Sequence, residues 1–323
     1  MRITSVPVPA PPPAAGGDAV ISVAGLRKTY GRHEAVRGID FEVAPGEIFG
    51  LLGTNGAGKT TTIEILEGYR TRTAGDVRVL GVDPGRPTRA WRERIGLVLQ
   101  ESEVDPVYTV REIVGMFSRY YAQPRDVDDT ITLVGLRAQR DTRVGQLSGG
   151  QKRRVDVALG IIGDPDLVFL DEPTTGFDPQ ARREAWNMIQ GLRDLGKTIL
   201  LTTHYMDEAQ HLADRLTILR DGLVVAQGTA AQLTQRSGGG TVIRFVLPPG
   251  VTVQQVQEAT GVVPELSGNA VTIRTEHPQS VLYRLTGWAE DAGVELDGLE
   301  VSRPSLDDVF LELTGESEVT SSS

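Results

Sequence analysis

IFGLLGTNGAGKTTTIEILEG, residues 48–68, passes from a compact apolar run through a glycine-rich octapeptide into a helical pattern. The octapeptide GTNGAGKT, Gly53 to Thr60, has the spacing GxxxxGK[ST] in a strand, loop, helix context. Its backbone N–H groups and the helix N-terminus can therefore surround a polyphosphate. Gly53, Gly56 and Gly58 remove side chains where the backbone must turn tightly or approach phosphate. Lys59 offers a point charge to the β and γ phosphates, and the Thr60 hydroxyl can ligate Mg²⁺.

Outward from this loop, AVISVAGLRKTYG and VRGIDFEVAPGEIFGLLG read as a hairpin signal, with Pro45 and Gly46 supplying a turn. Buried strands are expected at Glu47–Leu52, Leu167–Leu170 and Thr198–Thr202, each an apolar run that ends in a polar loop. From Val20 onward short β-rich runs alternate with helical stretches, which predicts an α/β domain with a largely parallel sheet and ligands at its strand ends. DLVFLDE ends such a strand in two acids. Asp171 is the candidate for metal, and Glu172 is the candidate to orient or deprotonate an attacking water. LSGGQ, Leu147 to Gln151, opens a further helix. Ser148 can cap it, and the N–H groups of Gly149 and Gly150 make a second anion-binding terminus in the same chain.

The chain has 323 residues, a length that suggests about two domains. Thirty-three Lys and Arg against 43 Asp and Glu give a net charge of −10, which argues against general binding to nucleic acid or anionic lipid. Lys152, Arg153 and Arg154 form a basic cluster on the helix after LSGGQ, where a solvated face is the simpler reading, and no nucleic-acid partner is expected. With no cysteine, disulfides, thiolate zinc sites and cysteine nucleophiles are excluded. No apolar run reaches the length of about 18 residues that a membrane span needs.

The proline-rich start, residues 1–18, reads as a disordered tail, and residues 316–323 as another. Residues 19–235 form the larger domain, with a helical lobe over about 101–160, and 236–240 read as a linker. Residues 241–315 are expected to form a small α+β domain. Its order is strand TVIRFVL, helix VQQVQEAT, strands around VVPEL and AVTIRT, helix QSVLYRLTGWAED, strand VELDGLEVS and a last helix SLDDVFLELT. The βαββαβ order suggests a ferredoxin-like sandwich plus a terminal helix.

GTNGAGKT, LSGGQ and LVFLDE, in this order along the chain, resemble the ATP-binding subunit of ATP-binding cassette (ABC) transporters, over Val20 to Gly228. The resemblance implies a P-loop ATPase fold with a helical subdomain, an antiparallel β subdomain, and ATP and Mg²⁺ as ligands. It makes Gly53, Thr54, Asn55, Gly56, Ala57, Gly58, Lys59, Thr60 and Thr61 nucleotide contacts, with Tyr30 as the aromatic that stacks on adenine. Gln100 would be a Mg²⁺ and water contact beside Thr60 and Asp171, Glu172 the base, and His204 the switch histidine at the γ-phosphate. Leu147, Ser148, Gly149, Gly150 and Gln151 would reach the nucleotide of a second copy, with Phe177 and Asp178 in the D-loop between the copies. Thr54 stands where the family usually has proline, and Phe177 where leucine is usual.

The implied partners are a second copy and integral membrane permease subunits on separate chains, with residues 101–145 facing the permease. The implied place is the cytoplasmic face of the membrane. QKRRVDVALGIIGDPDLVFLDEPTTGFDP and SRPSLDDVFLELTG are similar to the ABC-2, daunorubicin-resistance-type branch, which implies export of a hydrophobic drug or antibiotic-like compound. The competing readings are a soluble ABC ATPase acting as a mechanical switch, and a regulatory or ligand-binding role for the C-terminal domain.

Overall fold

Strands buried on both faces build the larger unit in layers. The computed structural model describes residues 19–98, 104–236, 240–302 and 306–314. Two units meet between Ala230 and Ala231. The first carries strands β1 (Ile21–Tyr30), β2 (His33–Val43), β3 (Ile48–Gly53), β4 (Ala74–Val79), β5 (Ile95–Val98), β6 (Leu167–Asp171), β7 (Thr198–Thr203), β8 (Arg215–Arg220) and β9 (Leu223–Gly228). Its helices are α1 (Lys59–Leu66), α2 (Arg89–Glu93), α3 (Val110–Ser118), α4 (Val127–Leu133), α5 (Gly149–Ile161), α6 (Pro179–Asp194) and α7 (Met206–Leu212). No helix among the described residues is long and apolar enough to cross a membrane.

The central sheet runs β5-β6-β7-β3-β8-β9, parallel throughout except for the antiparallel β8–β9 pair. Successive side chains of its middle strands enter two different cores. Ile48, Val168, Leu170, Ile199 and Leu201 pack with α3, α4 and α5, whereas Phe49, Leu51, Leu167, Phe169 and Leu200 pack with the β1, β2 and β4 layer. Both faces are covered, so these strands are apolar at consecutive positions rather than at alternate ones. The second layer is an antiparallel sheet in the order β2-β1-β4, joined to the first by stacked Phe41 and Phe49 rings 5.3 Å apart. Residues Pro45 and Gly46 form the expected turn, and it leads the chain from one sheet into the other.

Helix α5, the one that LSGGQ opens, lies against β5 at a glycine pair. A Cβ on Gly96 would stand 2.3 Å from the Gly160 carbonyl oxygen, and one on Gly160 would stand 2.9 Å from that of Leu97. This backbone-to-backbone approach sets the height of the helix over the sheet.

The second unit follows α8 (Ala230–Arg236), which spans the division. It contains β10 (Thr241–Val246), α9 (Val253–Thr260), β11 (Glu265–Ser267), β12 (Ala270–Thr275), α10 (Pro278–Asp291), β13 (Glu300–Ser302) and α11 (Leu306–Thr314). All pairings in the sheet β11-β12-β10-β13 are antiparallel, the strand order of a ferredoxin-like sandwich. The last expected strand is shorter than VELDGLEVS: Gly298, at φ 65°, turns the chain, the strand covers Glu300–Ser302, and before the turn the Asp297 carbonyl accepts from the Val246 N–H at 2.9 Å. The expected tails at 1–18 and 316–323, and residues 237–239 of the expected linker, lie outside the described residues.

Gly160→Val should overpack the α5–β5 contact, because its Cβ would meet Val98 Cγ2 at 2.8 Å. The expected loss is about 1–3 kcal/mol of unfolding free energy, measured by urea titration; unchanged stability would show that the two elements can separate without cost.

Candidate functional site

Strands β6, β7 and β3 are parallel neighbours, so their C-terminal ends open on one edge of the sheet. The register sets Asp171 beside Thr202 and Leu52 beside Thr203. The loops leaving that edge border a cleft of about 530 Å³ lined by Tyr30, His33, Ala35, Thr54, Asn55, Gly56, Gly58, Lys59, Thr60, Thr61, Glu172, Thr175 and His204. Gly53 and Ala57 do not line it. Gly53 closes β3 against the Leu219 carbonyl, where a Cβ would approach to 2.6 Å, and Ala57 is buried in the core.

The glycine-rich loop wraps the buried Lys59 ammonium, which donates to the carbonyl oxygens of Gly53 at 2.6 Å and Thr54 at 3.2 Å. Gly58, at φ 102°, precedes α1 and comes so close to the hairpin that a Cβ would stand 2.6 Å from the Ala35 carbonyl. Only glycine meets both conditions. The Thr54 carbonyl also accepts from the Ala57 N–H at 3.1 Å, so threonine at this position keeps the turn. Burial lowers the Lys59 pKa, and the nearby charges of Glu172 and Asp171 act against that fall.

Glu172 follows β6 at φ 46°, a left-handed conformation that is rare for a residue with a Cβ and that persists where surrounding contacts hold it. Its N–H donates to the Thr202 hydroxyl at 3.0 Å and its Oε2 accepts from the Thr175 hydroxyl at 3.1 Å. His204 Nδ1 lies 3.3 Å from Glu172 Oε1 but is not aligned as a hydrogen bond. Asp171 accepts from the Thr202 hydroxyl and lines, with Thr60, a neighbouring cavity of about 750 Å³. One hydroxyl and one carboxylate suit Mg²⁺, which fills its remaining positions with phosphate and water, so these residues fit the ion. Gln100, the third expected metal contact, lies outside the described residues.

Tyr30 stands on the rim of the cleft, its ring partly exposed between Lys28 Nζ at 5.0 Å and the Arg70 guanidinium at 5.3 Å. LSGGQ does not reach this cleft. Ser148 caps α5 in a reciprocal box with Gln151, and the N–H groups of Gly149 and Gly150 fall at the first helical positions, where no intrahelical acceptor exists. Leu147 is buried in the core beneath. Asp178 Oδ1 is committed to capping α6, accepting from the N–H groups of Gln180 and Ala181 at 2.9 Å each.

Residues 36–175 match the ABC transporter family, and residues 241–305 match the C-terminal domain of ABC transporter domain-containing protein-like chains. The Nod factor export ATP-binding protein I of Paraburkholderia xenovorans is 40% identical over 92% of this chain and 98% of its own. The protein of that name from Rhizobium sp. (strain N33) is 42% identical over 91% and 97%. The chain belongs to the ABC transporter family. It is an ABC ATPase, the catalytic subunit type of that family. Among solved structures, cbiO1 from Clostridium perfringens, part of the ABC transporter complex cbiONQ, superimposes with a TM-score of 0.62, 27% identity and coverage of 68% of this chain and 92% of that one.

Several groups around the ABC ATPase cleft escape a reading by motif. Thr202 and Thr203 end an otherwise apolar strand, and that polarity is a signal visible in TILLTT. His33 and Ala35 enter because the β1–β2 hairpin folds back over the loop. Glu67, at the end of α1, has no motif. Its carboxyl is pushed up to about 7, first by burial and then by the charges of Asp171 and Glu64.

A carboxyl raised in the folded state is fully accommodated below its unfolded pKa of 4.5, and that accommodation is lost as pH rises through about 7. Glu67→Gln should therefore remove about 1–3 kcal/mol of the fall in stability between pH 5 and pH 8, by urea unfolding without nucleotide; an unchanged pH profile would reject the assignment. Lys59→Ala should weaken ATP binding at least about tenfold in calorimetry, and an unchanged Kd would remove Lys59 from the phosphate site.

Proposed function

We propose that this ABC ATPase is the nucleotide-hydrolysing subunit of an exporter, holding Mg-ATP in the cleft beside Lys59 and driving a separate membrane permease from the cytoplasmic face. The observation that carries the reading is the meeting of Lys59, Glu172 and His204 around one cleft. Lys59 and the N–H groups of the loop bind the phosphates, and Thr60, Asp171 and Gln100 would hold the metal ion, which would supply positive charge against the polyphosphate. Tyr30 stacks on the adenine.

Glu172 takes a proton from the attacking water as the water oxygen bonds to the γ-phosphorus and the bond to the bridging oxygen breaks, releasing ADP and phosphate. His204, against the same carboxylate, donates to the γ-phosphoryl oxygens. The base role is supported by the clamping of the Glu172 backbone and Oε2 by Thr202 and Thr175.

Ser148, Gly149, Gly150 and Gln151 complete the site from a second copy, with Leu147 anchoring them and Asp178 at the contact between copies. This is supported by the helix terminus at LSGGQ, where the N–H groups of Gly149 and Gly150 stand at first helical positions that have no intrahelical acceptor. ATP between two copies stabilises the closed pair, and hydrolysis reopens it. Residues 241–315 form the accessory domain of the subunit, after an ATPase domain at 19–235.

The relatives are named as export ATP-binding proteins, which supports export over a soluble mechanical switch. They are named for Nod factor, so they support no role in drug resistance. A hydrophobic cargo, chosen by the permease, is the reading we retain.

Glu172→Gln should keep ATP binding, lower kcat by at least about 10²-fold and accumulate an ATP-dependent dimer in size-exclusion chromatography. Hydrolysis at the wild-type rate would reject the base, and a monomer at saturating Mg-ATP would reject the shared site.

A further inference from the structure

Glu208, in the first turn of α7, is a fully buried carboxylate outside the cleft. A carboxyl in such a place needs partners to offset its lost hydration. Its Oε1 accepts from the Thr174 hydroxyl at 2.8 Å and from Trp186 Nε1 at 3.2 Å, and the Thr203 hydroxyl also stabilises its charged form. Even so, burial outweighs these donors and pushes the carboxyl up.

The partners come from particular places. Thr174 lies two residues beyond Glu172, in the loop that leaves β6. Thr203 immediately precedes His204 at the end of β7, and its hydroxyl accepts from the Tyr205 N–H at 2.9 Å. Trp186 belongs to α6, the helix capped by Asp178, and stacks on His211 of α7 with ring centroids 4.7 Å apart. One turn earlier on α6, Arg182 pairs with Asp207 at 3.1 Å and covers the Tyr205 ring at 4.4 Å. One carboxyl, on the helix that follows His204, thus ties the loop that carries Glu172 to α6.

We propose that Glu208 is a positioning residue for hydrolysis: carried on the helix that follows His204, it holds the loop of Glu172 through Thr174 and so keeps the two in one fixed relation, without touching nucleotide. The proposal rests on the roles given above to Glu172 and His204. Its physical content lies in the left-handed backbone of Glu172. That conformation is maintained by its surroundings, and the loop is pinned on one side by Thr202 and two residues later by Glu208 through Thr174. A small displacement of this loop shifts the base relative to the attacking water, and misplacement of about 1 Å can cost about 10²-fold in rate.

The test uses the full chain and four variants, with kcat, the calorimetric Kd for ATP and the thermal midpoint measured for each. Glu208→Ala should lower kcat at least about tenfold with the Kd within about twofold. Glu208→Gln keeps an acceptor for Thr174 and Trp186, and should restore kcat to within about threefold of wild type. Thr174→Val, close to isosteric but lacking the donor, should lower kcat in the same sense, and it decides the matter if Glu208→Ala does not fold.

Wild-type kcat in Thr174→Val and Glu208→Ala would overturn the proposal. So would a Gln variant as impaired as Ala, or losses of kcat and ATP binding that simply follow the folded fraction. Glu172→Gln separates the two levels of argument: if it hydrolyses ATP normally, the assigned base and the proposal fall together. If it is inactive while Glu208→Ala and Thr174→Val are normal, only the positioning role falls.

Discussion

The sealing of both faces of the β6-β7-β3 sheet is the constraint from which the rest of this molecule follows. Side chains at successive positions of these strands enter different apolar cores, so no polar group can be placed along their length without a buried partner. Polarity is displaced to the strand ends. Because the three strands are parallel neighbours, those ends coincide at one edge, and Lys59, Asp171, Glu172 and His204 gather there from sequence positions far apart. Concentrating chemistry at a single edge is thus a consequence of how the core is closed.

That concentration creates an electrostatic problem, solved by pairing charge with backbone and hydroxyl groups. Lys59 is buried against the carbonyls of its own loop. Asp171 and Glu172, adjacent in sequence, both draw on the Thr202 hydroxyl, one accepting from it and the other donating its N–H to it. Glu67 meets burial and the neighbouring charges of Asp171 and Glu64, and its pKa is raised. A bound polyphosphate and metal ion would change the balance of charge among these groups.

The loops are tied to one another as well as to the sheet. The contacts of Glu208, Trp186 and Arg182 link α6 to α7, so the helix capped by Asp178 and the segment carrying His204 form a continuous packed body. A contact made near Asp178 would therefore reach the segment of His204 through side chains already in touch.

The amino-acid sequence alone determined the glycine-rich loop between strand and helix, the three apolar strands, the acid pair, the helix cap at Ser148 and the order of elements in the C-terminal unit. Each is a local pattern: glycines at fixed offsets, a compact apolar run, a hydroxyl three residues before an amide. The shortness of β13 was not legible, because a glycine turn at Gly298 interrupts an apolar pattern without erasing it. Only the tertiary structure decided that Thr202 serves Asp171 and Glu172, that Glu172 takes a left-handed backbone, that Glu67 faces Asp171 and that Glu208 joins Thr174 to Trp186. Hydrogen-bond partners of this kind are chosen by strand register and by the depth to which a side chain is buried. Both are settled when distant segments pack, and neither leaves a mark in the spacing of neighbouring residues.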